Sequence, residues 1–258
     1  MREQLRQNPM PNTLATQDIR QSTNQLALWC QATDLLNYTD PAIQDLIIQR
    51  GWLGLGAYER VGAVYQFVRD EIAFGYNVSD DLTAAQVLAD GIGQCNTKST
   101  LFMALLRAVG FACRFHGFTI DKALQKGAIT GWAYHVAPRN IIHSWVELWF
   151  ETRWIRLEGF ILDRRYLQAL QLRFADHQGA FCGYGVATQN LQDPPVQWRG
   201  SDTFIQKDGI NHDYGLFDSP DAFYAEHGVN LRGLKRWLFA HVVRQAMNAN
   251  VARIRNAR

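Results

Sequence analysis

Two kinds of hydrophobic spacing run along the chain, and the change between them falls at Gly110. Between Ala57 and Ile72, the residues Val61, Val64, Tyr65, Val68 and Ile72 recur at three- and four-residue intervals. That is the apolar stripe of an amphipathic helix. Residues 23–37 and 40–50 predict two earlier helices. The second starts at Asp40-Pro41, since proline is tolerated in a first turn. Gly51, Gly54 and Gly56 interrupt the chain, and Thr83–Ala89 predicts a short helix ended by Asp90-Gly91. A tight loop, Gly91-Ile92-Gly93-Gln94, leads into a strong helix on which Leu101, Leu105 and Ala108 share a face. Gly110 stops it as a C-terminal cap.

Beyond Gly110 the period becomes that of strands. Phe111–Ile120, His143–Phe150 and Arg153–Phe160 are rich in aromatic and β-branched residues. Glu151-Thr152 joins the last two as an antiparallel hairpin. Helices first and strands afterwards predict an α+β fold, with the strong helix packed on an antiparallel sheet. Residues 176–220, rich in Gly, Asp, Asn, Gln and Pro, predict an irregular segment covering the core. Helices follow at 219–226 and from 230 to about 254. The expected organisation is a loose tail at 1–20, a core at 21–175, and a cover with terminal helices at 176–258.

Composition narrows the function without choosing it. The 258 residues are 47% hydrophobic and 19% charged, with 26 basic and 24 acidic residues. A net charge of +2 gives no electrostatic case for nucleic acid. After Glu226 the chain carries seven Lys or Arg and no acid. They are spread thinly enough to predict a solvated helix docked through Leu234, Trp237, Leu238, His241 and Val242. No apolar run is long enough to span a membrane, and residues 1–20 hold no secretory signal, so a cytoplasmic protein is expected. The four cysteines, Cys30, Cys95, Cys113 and Cys182, show neither zinc-ligand nor redox-motif spacing. No metal site, nucleotide loop or other cofactor is expected.

One cysteine stands out by position. Cys95 lies where a glycine-bearing loop meets a strong helix, so a thiolate there meets the positive helix end and free backbone N–H groups. Those groups also suit an oxyanion formed from an attacked carbonyl. His143 opens the sequence His-Ser-Trp-Val-Glu, and Glu158 closes Trp-Ile-Arg-Leu-Glu. An even hairpin loop pairs Phe150 with Arg153 and puts His143 and Glu158 on one face as diagonal neighbours. A three-residue loop would separate them. The even loop lets the carboxylate orient the imidazole.

The run from Gly91 to Arg114, Gly-Ile-Gly-Gln-Cys-Asn-Thr-Lys-Ser through Leu-Leu-Arg-Ala-Val-Gly to Cys-Arg, resembles the nucleophile segment of the transglutaminase-like superfamily. His-Ser-Trp-Val-Glu-Leu-Trp resembles that superfamily's histidine strand, and Trp154–Glu158 resembles its W-x-x-L-D strand. Tyr65–Phe74 is similar to the helix before the nucleophile. The resemblance covers roughly residues 58–165. It implies a papain-like α+β fold with Cys95 as nucleophile, His143 as general base and Glu158 as carboxylate. The implied chemistry is acyl transfer from an amide or ester of a peptide, protein or small molecule, through a thioester, to water or an amine. The chain departs from the family at Glu158, where Asp is usual, and the alternative function is a non-catalytic binding module. Gln94 is a candidate oxyanion donor, Trp132, Tyr134 and Trp145 are candidates for the substrate pocket, and Cys182 is a secondary candidate nucleophile. The sequence says nothing of oligomeric state.

Overall fold

A computed structural model of the chain describes residues 25–231 and 233–257, without the side chains of Trp132, Ala133, Val136 and residues 234–236. The expected tail at 1–20 lies outside the described residues. Helix α1 (Pro41–Arg50) is capped by the Asp40 carboxylate, which accepts from the Ala42 N–H. Helix α2 (Ala57–Asp70) buries the Val61, Val64, Tyr65 and Val68 stripe. Helix α3 (Ala84–Asp90) begins at a reciprocal Thr83–Gln86 capping box. It ends at Gly91, whose φ of 62° is the left-handed conformation that glycine adopts without a Cβ penalty.

Helix α4 (Cys95–Ala108) is the centre of the molecule. Every residue from Cys95 to Arg107 is buried, so this helix is enclosed on all sides rather than amphipathic. Glycine is required just before it, since a Cβ on Gly93 would sit 2.6 Å from the Lys98 Cγ. Two short parallel strands, β1 (Ala73–Phe74) and β2 (Ile92–Gly93), fix the entry loop by pairing Phe74 with Gly93. Lys98 clamps the helix from within: its buried Nζ donates to the carbonyls of Arg69 (3.1 Å) and Ile161 (3.0 Å).

Packed against α4 is a four-stranded antiparallel sheet of β3 (Cys113–Asp121), β4 (Asn140–Phe150), β5 (Arg153–Leu157) and β8 (Ile210–Phe217), in the order β5-β4-β3-β8. A two-stranded sheet, β6 (Phe181–Gly183) with β7 (Val186–Thr188), lies in the long connection between β5 and β8. Helices α5 (Gly131–Val136), α6 (Arg164–Arg173), α7 (Pro220–His227), α8 (Gly233–Leu238) and α9 (Arg244–Asn256) complete the chain. The result is the expected α+β architecture.

Three expectations fail at the level of elements. Residues 23–37 were expected to be helical, yet the described part is helical only over 25–28. Polar side chains there satisfy the backbone in another way: Asp221 accepts from the Leu35 N–H and Thr33 Oγ1 from the Leu36 N–H. The segment 176–220 is not wholly irregular, because it supplies β8, an edge strand with two register irregularities against β3. Its polar residues and Gly215 hide the strand period. The terminal helix docks through a different face from the one expected. Trp237, Leu238 and Val242 are exposed, while Val243, Met247, Val251 and Ile254 are buried. A π-helical turn at 239–243 inserts between α8 and α9 and rotates the inward face away from the 3.6-residue extrapolation.

The hairpin turn between β4 and β5 stores strain. Glu151 and Thr152 have φ of 46° and 69°, the pair of positive values that a two-residue hairpin turn demands. A β-branched residue there is costly. Thr152→Gly is expected to raise stability by about 1 kcal/mol, read as a higher midpoint in urea unfolding. An unchanged or lower midpoint would show the turn to be unstrained.

Candidate active site

Cys95 is the first residue of α4 and is nearly buried, with 5% exposure. The first N–H groups of a helix have no intrahelical acceptor, so the sulfur sits beside backbone donors and the positive helix end. Asn96, the next residue, ties this helix start to β4. Its Nδ2 donates to the Ile142 carbonyl at 3.0 Å, and its Oδ1 accepts from Ser144 Oγ at 3.0 Å. Those two partners flank His143, so one side chain sets the distance between the nucleophile end of the helix and the histidine.

The β4–β5 register pairs Phe150 with Arg153 and Val146 with Leu157, the even register that keeps His143 and Glu158 on one face. Glu158 falls one residue beyond the end of β5. Both side chains are fully buried, and Glu158 Oε1 lies 2.6 Å from His143 Nε2. The second carboxylate oxygen, Oε2, accepts three successive backbone N–H groups, from Ile205 (2.8 Å), Gln206 (2.9 Å) and Lys207 (3.1 Å). Successive amides converging on one oxygen form an anion-binding nest. The Glu158 N–H itself donates to the Thr203 carbonyl at 3.0 Å. The long connection after β6 and β7 therefore holds the carboxylate in place from outside the hairpin.

His143 Nδ1, the other ring nitrogen, is buried and makes no hydrogen bond among the described residues. The Cys95 sulfur lies near enough to the ring to influence its charge. Burial alone would lower the imidazole pKa. The interaction with Cys95 and then the bond to Glu158 outweigh it, and the pKa is pushed up to about 9. The structure thus brings together a sulfur at a helix N-terminus, an imidazole and a carboxylate, in that order.

Residues 54–159 match the model of the transglutaminase-like superfamily. This stretch is a transglutaminase-like domain. It contains Cys95, His143 and Glu158 and ends one residue after the last of them. No curated protein matches the chain. A crystal structure from Cytophaga hutchinsonii, named as that of a candidate cysteine protease, is similar at 11% identity and a TM-score of 0.44. The similarity covers 79% of this chain and 49% of that one, so the chain spans about half the length of the solved structure it matches.

Beside Cys95 the transglutaminase-like domain opens into a cavity of about 490 Å3. Gln94 lines it, with its Oε1 accepting from the Asn77 N–H at 3.0 Å and its Nε2 3.4 Å from Asp80 Oδ1. The other pocket candidates lie elsewhere. Trp145 packs between Phe118, tilted with ring centroids 4.2 Å apart, and Phe204, edge-on at 5.6 Å, and it does not line the cavity. Tyr134 likewise stays off the cavity wall, half-buried with the Lys122 ammonium 5.1 Å from its ring. The Trp132 side chain lies outside the described residues. Cys182 is exposed on β6. Among the described residues no group of three His, Cys, Asp or Glu has the arrangement of a metal site.

Asp80, Asn96, Asn230 and the 205–207 nest went unread in the sequence. Asp80 accepts from Asn96 Nδ2 (3.0 Å) and from both the backbone N–H (3.1 Å) and Nδ2 (2.9 Å) of Asn230. Asn230 Oδ1 in turn accepts from the Ile142 N–H at 2.7 Å. The only sequence signal was at Asn96, a polar residue in an otherwise strongly buried helix start. The others act through long-range contacts that no local pattern records.

Proposed function

We propose that the protein is a cysteine enzyme that cleaves an amide or ester through a thioester on Cys95. The reading rests above all on the two-sided environment of His143, with Nε2 held by Glu158 and Nδ1 left to the sulfur. A histidine whose pKa lies at about 9 is protonated at neutral pH, which favours an imidazolium paired with a thiolate. The sulfur attacks the carbonyl carbon and the carbonyl electron pair moves to oxygen. The Cys95 N–H and the Gln94 amide are the candidate donors to that oxyanion. The C–N bond then breaks, and the leaving amine takes the Nδ1 proton of His143. Water or a second amine attacks the thioester and returns the proton, which regenerates the thiolate.

The Glu-for-Asp departure, which first raised the non-catalytic alternative, does not favour it in this geometry, because the longer side chain reaches both the imidazole and the nest. The test is an acyl-donor screen with and without primary amines, with mass spectrometry of the Cys95 peptide. A trapped acyl adduct on Cys95 is expected. Product that carries the added amine would indicate transfer, and free acid alone would indicate hydrolysis. Turnover should also fall as pH rises through about 9, because His143 then loses the proton that the leaving amine needs. Absence of any adduct across amides and esters, or a pH profile flat through 9, would count against the mechanism.

A further inference from the structure

The wall of the cavity beside Cys95 comes from two sources. Ile129, Pro138, Ile141 and Ile142 belong to the transglutaminase-like domain, while Leu238, Phe239, Val243 and Met247 come from the terminal helices outside it. The π-helical turn at 239–243 puts Phe239 and Val243 together on this wall, and such turns often accompany functional sites. Among the described residues no Lys, Arg or His lines the cavity. Its one carboxylate, Asp80, is already saturated by Asn96 and Asn230. An anionic group entering here would be desolvated with no opposite charge to meet it.

On the thioester reading above, we infer that this cavity is the acyl-side subsite and that it selects an extended apolar acyl group. The terminal helices, and not the catalytic domain alone, set its depth. Leu238, 42% exposed, stands where the wall meets solvent and is a specificity-determining position.

Straight-chain aldehydes test this on the intact protein. The thiolate adds to the aldehyde carbon, the carbonyl π bond opens, and the oxygen takes the His143 proton, giving a reversible thiohemiacetal with the alkyl chain on the acyl side. The readout is protection of Cys95 from iodoacetamide, followed by the mass of the Cys95 peptide. From propanal to octanal, the half-protecting concentration is expected to fall roughly threefold or more per methylene. Leu238→Glu should weaken octanal by a far larger factor than propanal, and its exposure makes the change compatible with folding. Equal protection along the series, with Cys95 still alkylated, overturns the apolar subsite and leaves Cys95 as the nucleophile. Cys95 that reacts with neither aldehyde nor iodoacetamide overturns both readings.

Discussion

Cys95→Ala is expected to lower turnover by roughly six orders of magnitude, in line with the loss of a nucleophile in a covalent mechanism. The fold should survive. Cys95 is a small buried residue, and alanine keeps the helix start and removes only the sulfur, a loss of about 1 kcal/mol or less in a site that already adjoins a cavity. The effect on rate is large because the other groups have nothing to act on. His143 positions and receives a proton, and the helix N-terminus stabilises charge, but neither can form the thioester. Circular dichroism and unfolding in urea separate lost chemistry from a lost fold. A purified, folded Cys95→Ala protein that retained turnover would remove the sulfur from the mechanism. Attention would then pass to Cys182, which is exposed on β6 and whose thiol pKa is raised by partial desolvation.

The elements of the candidate site were legible because each is governed by a local rule. Gly91 and Gly93 mark a left-handed cap and a close approach, and the spacing of Leu101, Leu105 and Ala108 gives the period of a helix. The two-residue turn at Glu151-Thr152 fixes the parity of everything on β4 and β5, so the shared face of His143 and Glu158 followed from counting. What was not legible depends on residues far apart. Trp145 and Tyr134 were candidates for the pocket by being aromatic and near His143 in sequence, yet Trp145 packs against Phe118 and Phe204 instead. The wall of the cavity beside Cys95 includes Leu238, Phe239, Val243 and Met247, about a hundred residues further on in the chain. A single π-helical turn also moved the docking face of the terminal helix, which a 3.6-residue period cannot anticipate.

The nest at 205–207 gives the second large effect. Glu158→Gln is expected to lower turnover by roughly three to four orders of magnitude, comparable with the loss seen when a neutral amide replaces the carboxylate of a hydrolytic triad. The reason is the fixed orientation of the new amide. Three backbone N–H groups converge on the Oε2 position, and an NH2 group there would set donor against donor. The Gln oxygen must therefore take the nest, which turns the NH2 toward His143 Nε2. That nitrogen can accept only as a lone pair, so the ring proton is driven to Nδ1, the side facing Cys95. A neutral imidazole of that tautomer cannot take the thiol proton. It also lacks the charge that a thiolate needs beside it. Because burial of Glu158 is complete and the size change is negligible, the variant should fold, and its alkylation by iodoacetamide at neutral pH should slow along with turnover. Glu158→Asp makes the complementary case: the shorter side chain keeps its charge but cannot span from the nest to the imidazole, so an intermediate loss is expected. Turnover of Glu158→Gln within tenfold of the unaltered protein, with rapid alkylation of Cys95 retained, would show that the carboxylate does not set the histidine tautomer.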